Sequence, residues 1–245
     1  MNAFDTQQTV GEIVSHSPEL ARVFERLGID YCCRKDRTVE EVCSQKGLDP
    51  QLLFLRLQKY EPAASLPALP VDSAAMSLTE LVNHIEQTHH VYLRDELPRL
   101  AEMVNEMVAF HAAQEPRLAL VQKTLRAMAG ELWAHMMKEE MCLFPMIRQL
   151  EACERPPKFH IGSIADPVRR MELEHDMAER ALEQLREYTN GFVPPAWACG
   201  MYRAMLEALR LLEKDMRVHI HKEDDVLFPR ALELEAMKRR RSPVS

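Results

Sequence analysis

An eleven-residue pattern occurs twice in this chain of 245 residues, and it constrains the fold more than any other feature. The pattern H-x3-E-x3-L-F-P runs from His135 to Pro145 and again, 84 residues later, from His219 to Pro229. Residues four apart on an α-helix lie only about 40° apart around its axis, so the His, the Glu and the Leu share one face. The apolar Leu indicates that this face is buried. The pattern therefore predicts two equivalent helices that each aim a His and a Glu into a protein core.

A further histidine precedes each copy of the pattern. His90 lies 45 residues before His135, and His175 lies 44 residues before His219. Four histidines and two glutamates facing a core would be unsatisfied polar groups unless something binds them, and a metal is the simplest partner. The sequence therefore predicts a metal site whose candidate ligands are His90, His135, Glu139, His175, His219 and Glu223.

The ligand types narrow the choice of metal. Imidazole and carboxylate together favour iron, manganese or zinc over calcium or magnesium. Six residues are too many for one tetrahedral ion, whereas two ions fit the duplicated pattern, with a Glu from each half bridging them. Two assignments stay open. His89 and His90 point about 100° apart on a helix, so only one of them is expected to be a ligand, and Asp224 is a fallback ligand beside Glu223.

Composition and charge exclude several classes of protein. Gly accounts for 7 of the residues, less than half of its usual share of about 7%, which favours helices over sheets. The formal charge of −7 gives no general footprint for nucleic acid. The first residues lack the features of a signal peptide, and no stretch approaches the ~20 apolar residues of a membrane span. We therefore expect a cytoplasmic protein with reduced cysteines and no membrane or nucleic-acid partner.

Helix signals and composition divide the chain into four parts. Residues 1–60 read as a small domain of short helices, with a capping box at Thr38 and Glu41. Residues 61–76 are rich in Pro and Ala and form a predicted linker. Residues 77–236 predict an up-down four-helix bundle, whose later helices are expected at 116–150, 167–188 and 195–234. Residues 237–245 form a basic tail, which we expect to be a solvated helix end.

Other residues are candidates for supporting roles. Glu131, one turn before His135, and Glu174 are candidate hydrogen-bond acceptors for a ligand histidine, or part of a solvent path. The neighbouring Cys32 and Cys33 are candidate redox thiols, because the basic residues that follow them could lower a thiol pKa. The alternative is that both are small buried residues at a helix junction. Cys142, one turn beyond Glu139, is expected to pack in the core.

At these residues the chain resembles the RIC family of iron-sulfur cluster repair proteins, which carry a haemerythrin-like di-iron bundle. The resemblance covers nearly the whole chain. It rests on the HMMKEE run at 135–140, the two LFP tripeptides, the Glu-His-Asp triplet at 174–176, and the ELP tripeptide at 96–98. The N-terminal part, with its two adjacent cysteines, is similar to the short domain of ScdA-like members. The resemblance selects His90 over His89.

The resemblance also implies a function. The expected cofactor is a pair of iron ions bridged by carboxylates and by an oxo or hydroxo group. The expected role is repair of iron centres damaged by nitric oxide or oxidative stress, by supplying iron to damaged iron-sulfur proteins. Two alternatives stay open, a protein that binds NO or O2 without transferring iron and an enzyme that reduces NO. This chain departs from haemerythrins at Glu179, where haemerythrins have a further ligand histidine and relatives in the repair family often have Gly; we expect Glu179 in solvent. A homodimer is one alternative for the oligomeric state.

Overall fold

The computed structural model describes residues 5–31, 35–60, 73–155, 157–160 and 162–241. Contacts divide the chain into two compact units. One unit comprises residues 1–66, 100–122 and 186–211, and the other comprises residues 67–99, 123–185 and 212–245. Most of the predicted linker at 61–76 lies outside the described residues, so the predicted domain boundaries stay a prediction.

Four short helices form the N-terminal part of the first unit, as the stop and start signals predict. They are α1 (Val10–His16), α2 (Ala21–Arg26), α3 (Val39–Lys46) and α4 (Pro50–Gln58). The predicted capping box is present, because Thr38 accepts from the Glu41 backbone N–H while the Glu41 carboxylate accepts from that of Thr38. Gly47 ends α3 with a φ of 64°, a left-handed conformation that glycine adopts without steric cost.

Four long helical segments follow, and three of them contain a π-helical turn. The first comprises α5 (Leu78–Ile85), π1 (Glu86–His90) and α6 (Val91–His111), and the second comprises α7 (Leu118–Lys138), π2 (Glu139–Leu143) and α8 (Phe144–Ala152). The third is α9 (Ala165–Tyr188) without a π turn, and the fourth comprises α10 (Gly200–Ile220), π3 (His221–Leu227) and α11 (Phe228–Arg241). The fold is all-α, with four short helices before a bundle of four long helical segments. The last helix begins five residues later than predicted.

One apolar cluster in the second unit joins all four long segments. Its buried members are Leu78, Leu81, Val82, Ile85, Leu143, Phe144, Met146, Ile147, Leu150, Ile164, Val168, Met171, Leu227, Phe228 and Ala231. The cluster includes the Leu and the Phe of both LFP tripeptides, so the duplicated pattern does face the core. Among the described residues, no helix combines the length and the hydropathy that crossing a membrane requires.

The basic residues near the C-terminus serve the fold. Lys238 Nζ donates to the carbonyl oxygen of Leu150 at 2.6 Å and also contacts that of Cys153. These carbonyls lie at the C-terminal end of α8, where a helix has no backbone donors left to satisfy them. Arg239 donates to the Glu235 carboxylate at 3.0 Å. Lys238 thus satisfies carbonyls at the end of α8, and Arg239 pairs with a side chain one turn earlier on its own helix. The expectation of a solvated basic tail at 237–245 stays a prediction.

Candidate metal centre

The π turns lie at the candidate ligands. His90 is the last residue of π1, Glu139 is the first of π2, and Glu223 lies within π3. Both π2 and π3 end directly before a Phe-Pro pair. Proline lacks an N–H, so one backbone carbonyl in the turn before it has no α-helical donor. A π turn lies at this point in both segments, where the regular α-helical hydrogen bonds are interrupted. Sequence reasoning did not predict the π turns, although the two LFP tripeptides carry a signal for two of them.

The structure brings all six predicted ligands together in the second unit. Their side chains are at most 3% exposed. The ligand atoms form two groups, each within 4.8 Å of one another. We define position A as the group with His135 and His175, and position B as the group with His90 and His219. Both groups contain the same two carboxylates, those of Glu139 and Glu223.

Each carboxylate offers one oxygen to each position. Glu139 Oε1 lies 3.3 Å from His135 Nε2 in position A, and Glu139 Oε2 lies 3.3 Å from His90 Nε2 in position B. Glu223 repeats this arrangement, with Oε2 3.1 Å from His175 Nε2 and Oε1 3.2 Å from His219 Nε2. A carboxylate placed in this way can bridge two cations.

The buried atoms of the cluster fit a metal. Within the described part of the chain, five of them have no hydrogen-bond partner, namely His90 Nε2, both oxygens of Glu139, Glu223 Oε2 and His219 Nδ1. The first four face the interior of the cluster. In addition, His135 Nε2 and His175 Nε2 lie 3.1 Å apart. Two ring nitrogens this close need a proton between them or a cation that both can bind. Buried polar groups are rarely left unsatisfied, so the donor set fits cations with nitrogen and oxygen ligands.

Three of the four histidines donate a hydrogen bond from Nδ1 to a carboxylate. His135 donates to Glu174 at 3.0 Å, and Glu174 is one of the two acceptors that the sequence suggested. His90 donates to Glu140 Oε1 at 2.7 Å, and His175 donates to Asp224 Oδ1 at 2.8 Å. These bonds leave the Nε2 lone pair free for a metal and fix the orientation of the ring.

Sequence reasoning missed the roles of Glu140 and Asp224 as acceptors. Both immediately follow the Glu of the duplicated pattern, so the pattern could have been written with a second acidic residue in each copy. Asp224, the fallback ligand, instead accepts from a ligand histidine.

The Phe of each LFP tripeptide stacks on the upstream histidine of its own half. The ring of Phe144 lies 5.7 Å from that of His90, with 15° between their planes. Phe228 lies 6.1 Å from His175, with 4° between the planes. Both phenylalanines are fully buried. The tripeptide thus holds the upstream rings in place as well as filling the core.

Charge pairing shifts the pKa values inside the cluster. Burial lowers the pKa of His175, but the hydrogen bond with Asp224 and the adjacent negative charge of Glu223 outweigh burial and raise that pKa to about 10. Burial raises the pKa of Glu223, yet the adjacent His219 and His175 hold that pKa well below its ordinary value. Without a metal, a proton on His175 therefore compensates part of the carboxylate charge, and a cation has to displace it.

His89 and His90 have different surroundings. His90 lies in position B, whereas His89 Nδ1 donates to Asp215 Oδ1 at 2.9 Å and His89 Nε2 accepts from Lys222 Nζ at 2.9 Å. Both rings are buried, which is why helix periodicity could not separate them. The structure thus brings His90, and not His89, together with the other candidate ligands.

The remaining candidates lie elsewhere. Glu131 is exposed. Among the described residues, the carboxylates that accept from the candidate ligand histidines are those of Glu140, Glu174 and Asp224, and not that of Glu131. Glu179 is exposed, as expected.

The cysteine predictions have different outcomes. Cys142 is exposed, so its predicted place in the core is wrong. A π turn contains more residues than an α turn, and the third residue after Glu139 therefore does not return to the same face. Cys32 and Cys33 lie outside the described residues, so their role stays a prediction.

A four-helix bundle with paired His and Glu side chains in its interior, placed where they could hold metal ions, defines a haemerythrin-like protein. Consistent with this, the family model of the haemerythrin HHE cation binding domain matches residues 81–231. The model of ScdA_N, a domain of unknown function (DUF542), matches residues 6–61.

Curated relatives match nearly the whole chain. This chain is 35% identical over 228 residues to the iron-sulfur cluster repair protein YtfE of Enterobacter sp. (strain 638), and the match covers 92% of this chain and 96% of the relative. Proteins of the same name from Escherichia coli O157:H7 and Pectobacterium atrosepticum are 34% and 33% identical, with the same coverage. The chain belongs to the RIC family of iron-sulfur cluster repair proteins, which confirms the resemblance seen in its motifs.

Proposed function

We propose that this chain is a di-iron protein that repairs iron-sulfur clusters or other iron centres damaged by nitric oxide or oxidative stress, by supplying iron. The names of its relatives support the repair role. The observation that carries the di-iron proposal is the placement of Glu139 and Glu223, each with one oxygen towards each pair of histidines. The proposal includes a cytoplasmic location and damaged iron-sulfur proteins as acceptors.

The number of ligands supports a site that can exchange what it binds. Two six-coordinate ions need about twelve ligand atoms, and the four histidines with two bridging carboxylates supply about eight. When bound, the iron pair supplies redox chemistry and coordination positions open to small ligands such as NO or O2. The carboxylates that accept hydrogen bonds from Nδ1–H keep the proton on that nitrogen and orient the histidine rings. The burial of the cluster excludes water.

The balance of charge supports iron release. Glu139 and Glu223 are the carboxylates among the six ligands, which is fewer than the four glutamates of di-iron bundles built on Glu-x-x-His motifs. Two of the three carboxylates that accept from the histidines are paired with cations. Glu140 contacts Arg94 at 2.5 Å, and Glu174 contacts Lys138 and, at 3.2 Å, Arg170. A site with little excess negative charge stabilises its cations less than a more anionic site does.

Metal analysis and iron transfer test the proposal. We expect two irons per purified chain, with charge-transfer bands in the visible spectrum. Mixed with an iron-sulfur protein whose cluster has been damaged by nitric oxide, the chain should lose iron while the acceptor regains activity. One zinc per chain would contradict the di-iron site.

Two other outcomes would contradict iron supply and favour an alternative. A reversible spectral change with NO, with all iron retained and no recovery of the acceptor, would indicate sequestration. Formation of nitrous oxide with added electrons would indicate an NO-reducing enzyme.

A further inference from the structure

The two halves of the duplicated pattern differ in a residue directly beside an upstream histidine. The residue that precedes the upstream histidine is Glu174 in one half and His89 in the other. Glu174 Oε2 accepts from His135 Nδ1 at 3.0 Å. His89 makes no equivalent bond to His219, because the two rings stack face to face, with centroids 5.0 Å apart and planes at 2°.

The nitrogens of His89 are already used. Nδ1 donates to Asp215 Oδ1 at 2.9 Å, and Nε2 accepts from Lys222 Nζ at 2.9 Å. Lys222 is itself buried and also donates to His84 Nε2 at 2.9 Å. As a result, His219 Nδ1 is buried without a hydrogen bond to any residue that the structure describes.

The two metal positions therefore differ in the support behind their ligands. At position A, His135 donates to Glu174 and His175 donates to Asp224. At position B, His90 donates to Glu140, and His219 has no acceptor. A carboxylate behind a ligand histidine fixes the ring and makes Nε2 a stronger donor of electrons, and its loss typically costs about 10- to 100-fold in metal affinity.

We infer that the two metal positions are unequal and that position B, with His90 and His219, releases its iron first. The inference rests on the proposed di-iron site and deepens it. One iron per chain is the transferable one, and the iron at position A stays bound under conditions that empty position B.

Chelator competition on the full-length holoprotein tests the inference. The protein is equilibrated anaerobically with increasing concentrations of an iron chelator, and the iron retained per chain is measured by atomic emission. We expect two steps, with a plateau at one iron per chain. The chelator concentrations that produce the two steps should differ by about 10- to 100-fold.

Three substitutions assign the steps to the positions. Glu140→Gln weakens position B further, so the first step should move to lower chelator concentration and the plateau should widen. Glu174→Gln weakens position A, so the second step should move towards the first and the plateau should shorten or vanish. His89→Glu places a carboxylate at the position equivalent to Glu174, and the first step should move towards the second.

Far-UV circular dichroism shows whether each variant is folded, and the two Gln variants assign the steps even if His89→Glu does not fold. Loss of both irons in a single step from the unsubstituted protein would overturn the inference and leave the di-iron proposal intact. The same holds if Glu140→Gln moves the second step and Glu174→Gln moves the first. A chain that binds no iron contradicts the proposed function, and the inference falls with it.

Discussion

Asp224 accepts a hydrogen bond from His175 Nδ1 at 2.8 Å and so turns the other ring nitrogen towards Glu223. The neighbouring Asp225 contacts His221 on the exposed side of the same π turn. Of two adjacent aspartates that each pair with a histidine, only Asp224 therefore has a partner that faces the candidate centre. This difference gives a matched pair of variants.

The first prediction concerns this pair. Asp224→Asn should weaken iron binding at position A by about 10- to 100-fold, because Asn is a poorer acceptor for His175 Nδ1. Asp225→Asn should leave iron binding unchanged, because its partner His221 is exposed. Iron retained against a chelator is the measurement. Equal weakening by both substitutions would show that charge near the bundle, and not the hydrogen bond, matters.

The second prediction concerns the bridging carboxylates. Glu139→Gln removes an anionic oxygen from both positions at once, so purified protein should contain fewer than two irons per chain and lose its charge-transfer bands. Glu131→Gln, on the same long helical segment, should retain two irons because Glu131 is exposed. Iron loss in Glu131→Gln would restore the role that the sequence suggested for this residue.

The third prediction concerns pH. The pKa of His175 is raised to about 10 in the metal-free site by Asp224 and Glu223, which outweigh burial, so this ring is protonated at pH 7. Iron binding has to displace that proton, and affinity should therefore rise with pH up to about 10. Titration calorimetry of Fe(II) binding in buffers with different ionisation enthalpies measures the protons released. Absence of proton release at pH 7 would contradict the charge arrangement described for the site.

The fourth prediction concerns the stability of the bundle. Glu151 accepts from the backbone N–H groups of Leu78 and Thr79, both at 2.8 Å, at the start of α5. Burial raises the pKa of Glu151, but hydrogen bonding with the Thr79 side chain and with these two backbone groups outweighs burial and lowers that pKa. Glu151→Gln should lower the free energy of unfolding by about 1 kcal/mol, which allows for the partial exposure of the carboxylate. Denaturant unfolding measures it, with the exposed Glu154→Gln as control.

The sign of the pH effect at Glu151 follows from its lowered pKa. The stabilisation is present above the ordinary glutamate pKa and is lost as the pH falls through the lower folded-state value. The stability difference between the unsubstituted protein and Glu151→Gln should therefore shrink in acid. A difference that stays constant at all pH values would mean that the hydrogen bonds do not depend on the charge of the carboxylate.

Much of the candidate site could be predicted from the sequence because the chain contains it twice. A single His-x3-Glu spacing is common on exposed helix faces, whereas its repetition with Leu on the same face indicates a core. The repetition identified His135, Glu139, His219 and Glu223, and the nearly equal spacing to an upstream histidine added His175. These five side chains share one buried cluster.

Other features could not be predicted for physical reasons. His89 and His90 are both buried, so periodicity could not separate them, and only contacts with Asp215 and Lys222 show why His89 turns elsewhere. The exposure of Cys142 depends on the π turn, which α-helical periodicity does not include. Acceptors such as Glu140 are hard to recognise because acidic residues are frequent on helix surfaces.

The mismatch between His89 and Glu174 has a consequence for how such proteins can evolve. An assembly of two identical subunits around a shared axis must carry the same amino acid at symmetry-related sites, because one codon specifies both. Here both repeats belong to one polypeptide, so each can mutate independently of its counterpart. Gene duplication followed by fusion thus allows a pseudo-symmetric pair of sites to diverge in chemistry while the scaffold around them stays the same.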